Sequence, residues 1–124
     1  MLSGNLSKKE LGNWGEERAA RFLINSGVEI IERNVRTKNG EIDLIGKQSG
    51  TLIFFEVKTR RSKEFGYPEE AVNNKKQEHV KNSALEYIQS NLDLEIEWRL
   101  DVISINVDRK NKLTIRWFKN AISD

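Results

Sequence analysis

Apolar residues first recur at helical spacing near the N-terminus. Leu11, Trp14, Arg18 and Phe22, with Ala19 and Leu23 beside them, form one stripe. Ser7 followed three residues later by Glu10 makes a capping box, so a helix is predicted to begin near Lys8. Gly27 is a natural stop for it. Residues 28–36, VEIIERNVR, are rich in branched aliphatics and predict a strand, with Asn39-Gly40 marking the turn after it. Residues 41–46 and 51–59 read as two strands of an antiparallel hairpin joined around Ser49 and Gly50. Leu52 to Phe55 and Val57 are apolar on both parities, the pattern of a strand buried on both faces. That strand is the expected centre of the sheet.

From Arg60 to Pro68 the pattern turns polar, and Gly66 and Pro68 predict a loop. Val80, Ala84, Tyr87 and Ile88 then make a second helical stripe, predicting a helix from near Asn73 to about Ser90. Residues 98–107 and 113–118 predict two more strands across the polar turn DRKNK. The order αβββαββ predicts an α/β (α+β) domain in which helices flank a mixed five-stranded sheet. With 124 residues, the chain is expected to form a single domain over 1–124.

Composition narrows the chemistry. The charged fraction of 32% and apolar fraction of 37% suit an ordinary soluble protein. MLSGNLSKKEL lacks the apolar stretch of a secretory signal, and no apolar run approaches bilayer-spanning length, so the expected compartment is the cytoplasm. Zero cysteines exclude a disulfide framework, a zinc-thiolate site and a cysteine nucleophile. The single histidine, His79, cannot build a multi-histidine metal site and reads as polar helix surface. Carboxylates and lysines remain. The formal charge of +2 is mild, but residues 58–63 read KTRRSK without an acid, with Lys75, Lys76 and Lys81 following. Arg60, Arg61, Lys63 and Lys76 are therefore the candidate nucleic-acid contacts. A short basic run taken alone favours a solvated surface.

Glu56 and Lys58 stand two apart on a strand, so they leave the same face while Val57 points to the other. Taken alone, Glu-x-Lys also fits a structural ion pair. Asp43 adds geometry. If the hairpin turns on Gln48 and Ser49, Asp43 lies opposite Phe54 on the face of Glu56; a four-residue turn puts it opposite Glu56 itself. Either register converges two carboxylates that resist ionising together unless a hard cation joins them. Magnesium suits such oxygen ligands, and Lys58 beside it could orient or help deprotonate a water, or offset transition-state charge. The assembly suits phosphodiester hydrolysis and would equally bind a nucleotide or another phosphoester.

The segments GNWGEERAARFL, RNVRTKNGEIDLI, FFEVKTRRS with FG and AVNNKKQ after it, and WRLDVI carry a more specific signal. Together they resemble the YraN-type endonuclease family, in the restriction-endonuclease-like PD-(D/E)xK superfamily that includes archaeal Holliday-junction resolvases. The resemblance runs from Gly12 to Val107, with Ile42 where the superfamily nominally has proline. It implies a restriction-endonuclease-like fold, Asp43 and Glu56 as ligands of Mg2+ or Mn2+, and Lys58 in the lysine role. Glu16, on the first helix, corresponds to an additional acid that some superfamily members use near the metal.

Other residues carry weaker signals. Gly15 beside Glu16 permits a close backbone approach. Glu41 reads as a surface acid, Gln77 with Lys76 as a possible phosphate contact, and Asp101 as a structural partner of Arg99 or Arg60. Trp14, Trp98 and Trp117 fall in apolar patterns and are expected to pack in the core. The leading expectation is a metal-dependent endonuclease acting on DNA, with branched or junction DNA among its substrates and a homodimer among its assemblies. The alternatives are a catalytically inactive nucleic-acid-binding module of the same fold, and an interaction domain whose acid–lysine group is structural.

Overall fold

The computed structural model describes residues 6–61, 74–91 and 95–121. Its elements are α1 (Lys8–Asn25), β1 (Glu29–Thr37), β2 (Gly40–Gln48), β3 (Thr51–Arg61), α2 (Asn74–Asn91), β4 (Trp98–Val107) and β5 (Leu113–Phe118). The order is the expected αβββαββ. They build one mixed five-stranded sheet in the order β1-β2-β3-β4-β5. β3 pairs with β4 in parallel, and the other neighbours are antiparallel. A parallel pair cannot be joined by a tight turn, so the chain between β3 and β4 must cross over, and α2 lies on that path.

Local chemistry explains the ends of these elements. Ser7 Oγ accepts from the Glu10 backbone N–H at 3.1 Å while Glu10 Oε1 accepts from the Ser7 N–H at 3.0 Å, so the capping box starts α1 as its sequence predicts. The β2–β3 hairpin turns on Ser49 and Gly50, as expected: both take positive φ (52° and 81°) and Gln48 pairs with Thr51, the register that, continued, sets Asp43 opposite Glu56 rather than Phe54. That combination suits a tight primed turn, which matches the strand twist. One difference concerns Arg60 and Arg61. They continue β3 opposite Asn106 and Val107 of β4 instead of opening a loop. Lys63, Gly66, Pro68 and Asn73 lie outside the described residues.

β3 is the central strand and is covered on both faces. Leu52 and Phe54 pack with Leu100, Val102 and the α2 residues Val80, Ala84, Tyr87 and Ile88. Ile53 and Phe55 pack with Ile103, Ile105 and the α1 residues Ala19, Ala20 and Leu23. Trp98 joins the first layer, Trp14 and Trp117 the second, as their apolar contexts predict. Asp101 is fully buried and accepts hydrogen bonds from Arg99, Trp117 Nε1 and the Asn120 N–H. This satisfied carboxylate is structural, as expected. No helix among the described residues is long and apolar enough to cross a membrane.

One irregularity positions the site. Along β2, Ile45 faces the α2 layer and Leu44 the α1 layer, yet Ile42 returns to the α2 layer, so strict alternation fails at Asp43. Across from it in β1, between the pairs Arg33↔Leu44 and Val35↔Ile42, stands Asn34 with φ +52°. Pairing between β2 and β3 stops at Leu44↔Phe55, although β2 stays with β1 to Gly40 and β3 stays with β4 to Arg61. The sheet opens between Asp43 and Glu56.

Candidate functional site

Glu56 and Lys58 share the α2 face of β3, while Val57 packs toward the α1 layer. Their side chains meet at 3.0 Å, Lys58 Nζ to Glu56 Oε1, and are only 5% and 9% exposed. The strand-end pair is therefore more deeply set than its sequence suggests. Asp43 reaches the same point from β2: the Val57 N–H donates to Asp43 Oδ2 at 2.8 Å, replacing a ladder bond lost where the strands part. Asp43 also shares a side-chain hydrogen bond with Glu56, so the two carboxyl groups converge. Burial first, and then the neighbouring Glu56 charge, push the Asp43 carboxyl up to about 8.

Glu16 approaches from α1. Gly15 makes this possible: a Cβ at that position would stand 1.8 Å from Thr59 Oγ1, so only glycine lets the helix backbone lie against β3 there. Glu16 is partly buried, and its carboxyl is raised by that burial and by the negative charges of Glu41 and Glu56. Asn34 offsets part of this by hydrogen bonding to it. The structure thus brings Asp43, Glu56 and Lys58 into contact, with Glu16 within electrostatic reach of the two carboxyl groups.

Beside the paired strands lies a cleft of about 390 Å³, whose walls include Asp43, Glu56, Glu41 and the α2 residues His79 and Ser83. Glu41 is the exposed acid its sequence position suggests, and it also lines this cleft. His79 is exposed, as predicted, but it faces the carboxylates across the opening. Sequence patterning did not single it out. Its spacing from the buried Ser83, four residues on, places both on one helix face and was the available signal. Thr37 Oγ1 bonds Ser83 Oγ at 3.0 Å and the Lys38 N–H bonds Glu86 Oε2 at 2.8 Å, which tie α2 to the β1–β2 turn and frame the opening.

The basic residues divide. Arg60 is exposed and has the strand parity of Glu56 and Lys58, whereas Arg61 has the opposite parity and turns toward the α1 face. Arg60 and Arg61 therefore do not form one patch with each other. Lys63 lies outside the described residues, as does the side chain of Lys76 within α2.

Among the described residues no group of three or more His, Asp or Glu side chains is arranged to hold a metal ion. The convergent pair Asp43 and Glu56 still fits a hard divalent ion, which commonly takes one or two carboxylates and completes its shell with water and phosphate. Burial, and after it the charge of Glu56, disfavour an ionised Asp43, and a bound cation would offset both.

Comparison with known proteins agrees on a family. A family model described as "Uncharacterised protein family UPF0102" matches residues 15–105. A UPF0102 protein of Caldicellulosiruptor saccharolyticus is 46% identical over 117 residues, covering 94% of this chain and 99% of that one. Another from Desulforamulus reducens is 37% identical over 121 residues, covering 95% and 99%. Among solved structures, that of Pyrococcus furiosus SfsA in complex with Ca2+ is similar at a TM-score of 0.45 and 15% identity, covering 95% of this chain and 66% of that one.

Proposed function

The chain belongs to the uncharacterised protein family UPF0102, and on that premise we propose that it is a cytoplasmic, metal-dependent endonuclease that hydrolyses phosphodiester bonds in DNA. Branched or junction DNA belongs to the proposed substrate class. The observation that carries the proposal is the convergence of the Asp43 and Glu56 carboxyl groups in an open cleft, where β2 and β3 part beside Lys58.

Asp43 and Glu56 would hold Mg2+ or Mn2+, which supplies Lewis acidity toward a phosphoryl oxygen and activation of water for hydrolysis. The Val57 N–H fixes Asp43 Oδ2, so this carboxylate is oriented before any ligand arrives. Lys58 balances Glu56, and its ammonium would offset charge on a scissile phosphate. Shielding of the Lys58–Glu56 pair from bulk water strengthens both contacts. Glu16 adds a further carboxylate from α1. Arg60, on the same face and exposed, would hold the phosphate backbone at the far end of β3.

A purified chain offered duplex, single-stranded, branched and junction DNA, and RNA, with and without Mg2+ or Mn2+, tests this directly. Divalent-dependent cleavage of DNA supports the proposal; inertness on every substrate contradicts it. One observation favours a second reading, a nucleic-acid-binding module without catalysis: Lys58 is already committed to Glu56 in a largely buried pair. That module would bind DNA in the same panel with no metal requirement and no cut.

A further inference from the structure

Asn34 is polar, exposed and in an edge strand, a position at which any polar residue would ordinarily serve. Its backbone says otherwise. Its φ of +52° lies in the left-handed region, which L-residues other than asparagine, aspartate and glycine adopt only at a cost. The register puts it across from Asp43, between Arg33↔Leu44 and Val35↔Ile42, at the point where β2 loses its alternation. Its side chain faces two carboxylates, and an amide so placed must present its nitrogen to them. So oriented, it donates to Glu16 Oε1 at 2.7 Å and to Glu41 Oε1 at 3.0 Å. One residue of β1 thus joins an acid from α1 to an acid from β2, beside the Asp43–Glu56 pair.

We propose that Asn34 is a positioning residue for the carboxylate site: its amide holds Glu16 toward Asp43 and Glu56 against the repulsion of Glu41. The inference rests on the metal-dependent reading above and extends it to a residue outside the Asp, Glu-x-Lys group. Glu16 and Glu41 carry like charges close enough to raise the Glu16 carboxyl, so without a donor between them they would separate. Glu41 has a cation of its own, Arg36 at 3.9 Å, whereas Asn34 is the group that favours the charged form of Glu16. A neutral amide with two N–H groups bridges the pair without adding charge, and groups behind the ligands of a metal commonly set its affinity about ten- to a hundred-fold.

Asparagine could instead be present only for its backbone, and two substitutions separate these roles. Asn34→Gly keeps the left-handed conformation at no steric cost and removes the amide. Adding Glu41→Gln to it removes the like charge and returns an amide that can face Glu16. Mn2+ binding to the full chain is read by the loss of the free-ion paramagnetic resonance signal, with thermal melts confirming that each variant is folded and Asp43→Asn as the control. The expected result is Mn2+ binding by the native chain that Asp43→Asn abolishes. Asn34→Gly should weaken it about ten-fold or more, and the added Glu41→Gln should recover a large part. Native-like Mn2+ affinity in Asn34→Gly overturns the role given to Asn34 while leaving the metal site standing. Weakened binding that Glu41→Gln does not restore assigns the effect to the backbone and overturns it too. A native chain that takes up no Mn2+ overturns the metal reading itself, and Asn34's role with it.

Discussion

The Val57 backbone N–H donates to Asp43 Oδ2 at 2.8 Å across the point where β2 and β3 stop pairing. A side chain of one strand thereby occupies the place of a ladder acceptor on the other, so the opening of the sheet and the orientation of the acid are one event. Asp43 is held by backbone, Glu56 by Lys58, and the two meet at the wall of the cleft.

Asp43 links stability to pH in the metal-free protein. Its carboxyl rises from an ordinary 3.8 to about 8 in the fold, so between these values the folded chain keeps a proton that the unfolded chain has released. Its contribution to stability is complete below the lower value and is lost as pH rises through the upper one. Urea unfolding with a chelator present, at about pH 5 and about pH 9, should show the native chain losing stability relative to Asp43→Asn. A pH-independent difference between the two would contradict the buried, charge-crowded site.

Gly15 sets how closely α1 approaches β3. Gly15→Ala places a Cβ 1.8 Å from Thr59 Oγ1 and 2.8 Å from Thr59 Cβ, so the helix must shift. The expected cost is about 1–3 kcal/mol in urea unfolding, with Glu16 displaced from the site. The Gly12→Ala control meets nothing within 4 Å and should be neutral or stabilising.

Burial changes what Lys58 is expected to do. From its sequence position Lys58→Ala should spare folding, but the pair is only 5% and 9% exposed, so removing the cation strands a carboxylate. Lys58→Met should lose roughly 3 kcal/mol, and adding Glu56→Gln should return much of it. Additive losses in this double-mutant cycle would mean that the pair is not coupled.

Much of this arrangement is legible in the sequence, for reasons visible in particular residues. Trp98–Val107 and Leu113–Phe118 alternate or run apolar between clear turn signals, and both strands appear with the predicted bounds. The parity of Glu56 and Lys58 needs only a strand of known phase. The joint around Ser49 and Gly50 is legible from its turn residues, while the choice between the two registers that put Asp43 on the face of Glu56 is settled only by the pairing of Gln48 with Thr51. Arg60 and Arg61 look like loop in a polar run, and only the distant parallel partner β4 keeps them in the sheet. Asn34 joins the site through a kinked strand pair that no local pattern encodes, and His79 through a helix packed across it, signalled only by its spacing from Ser83.

The two arginines should behave differently. Arg60→Ala should weaken DNA binding across sequences and reduce the slope of log affinity against log salt by about one phosphate contact. Arg61→Ala, on the opposite face, should leave that slope unchanged. The reverse result would place the substrate against the α1 side.

Single-turnover cleavage of junction and duplex DNA by the native chain and by Glu56→Gln, in Mg2+ or Mn2+ and in chelator, decides whether Asp43 and Glu56 hold a catalytic metal. Cleavage should occur only with the divalent ion, and its rate should be lower by about 100-fold or more in Glu56→Gln shown to be folded by thermal melting. Equal rates in the two proteins, cutting that persists in chelator, or no cutting by the native chain would contradict that assignment.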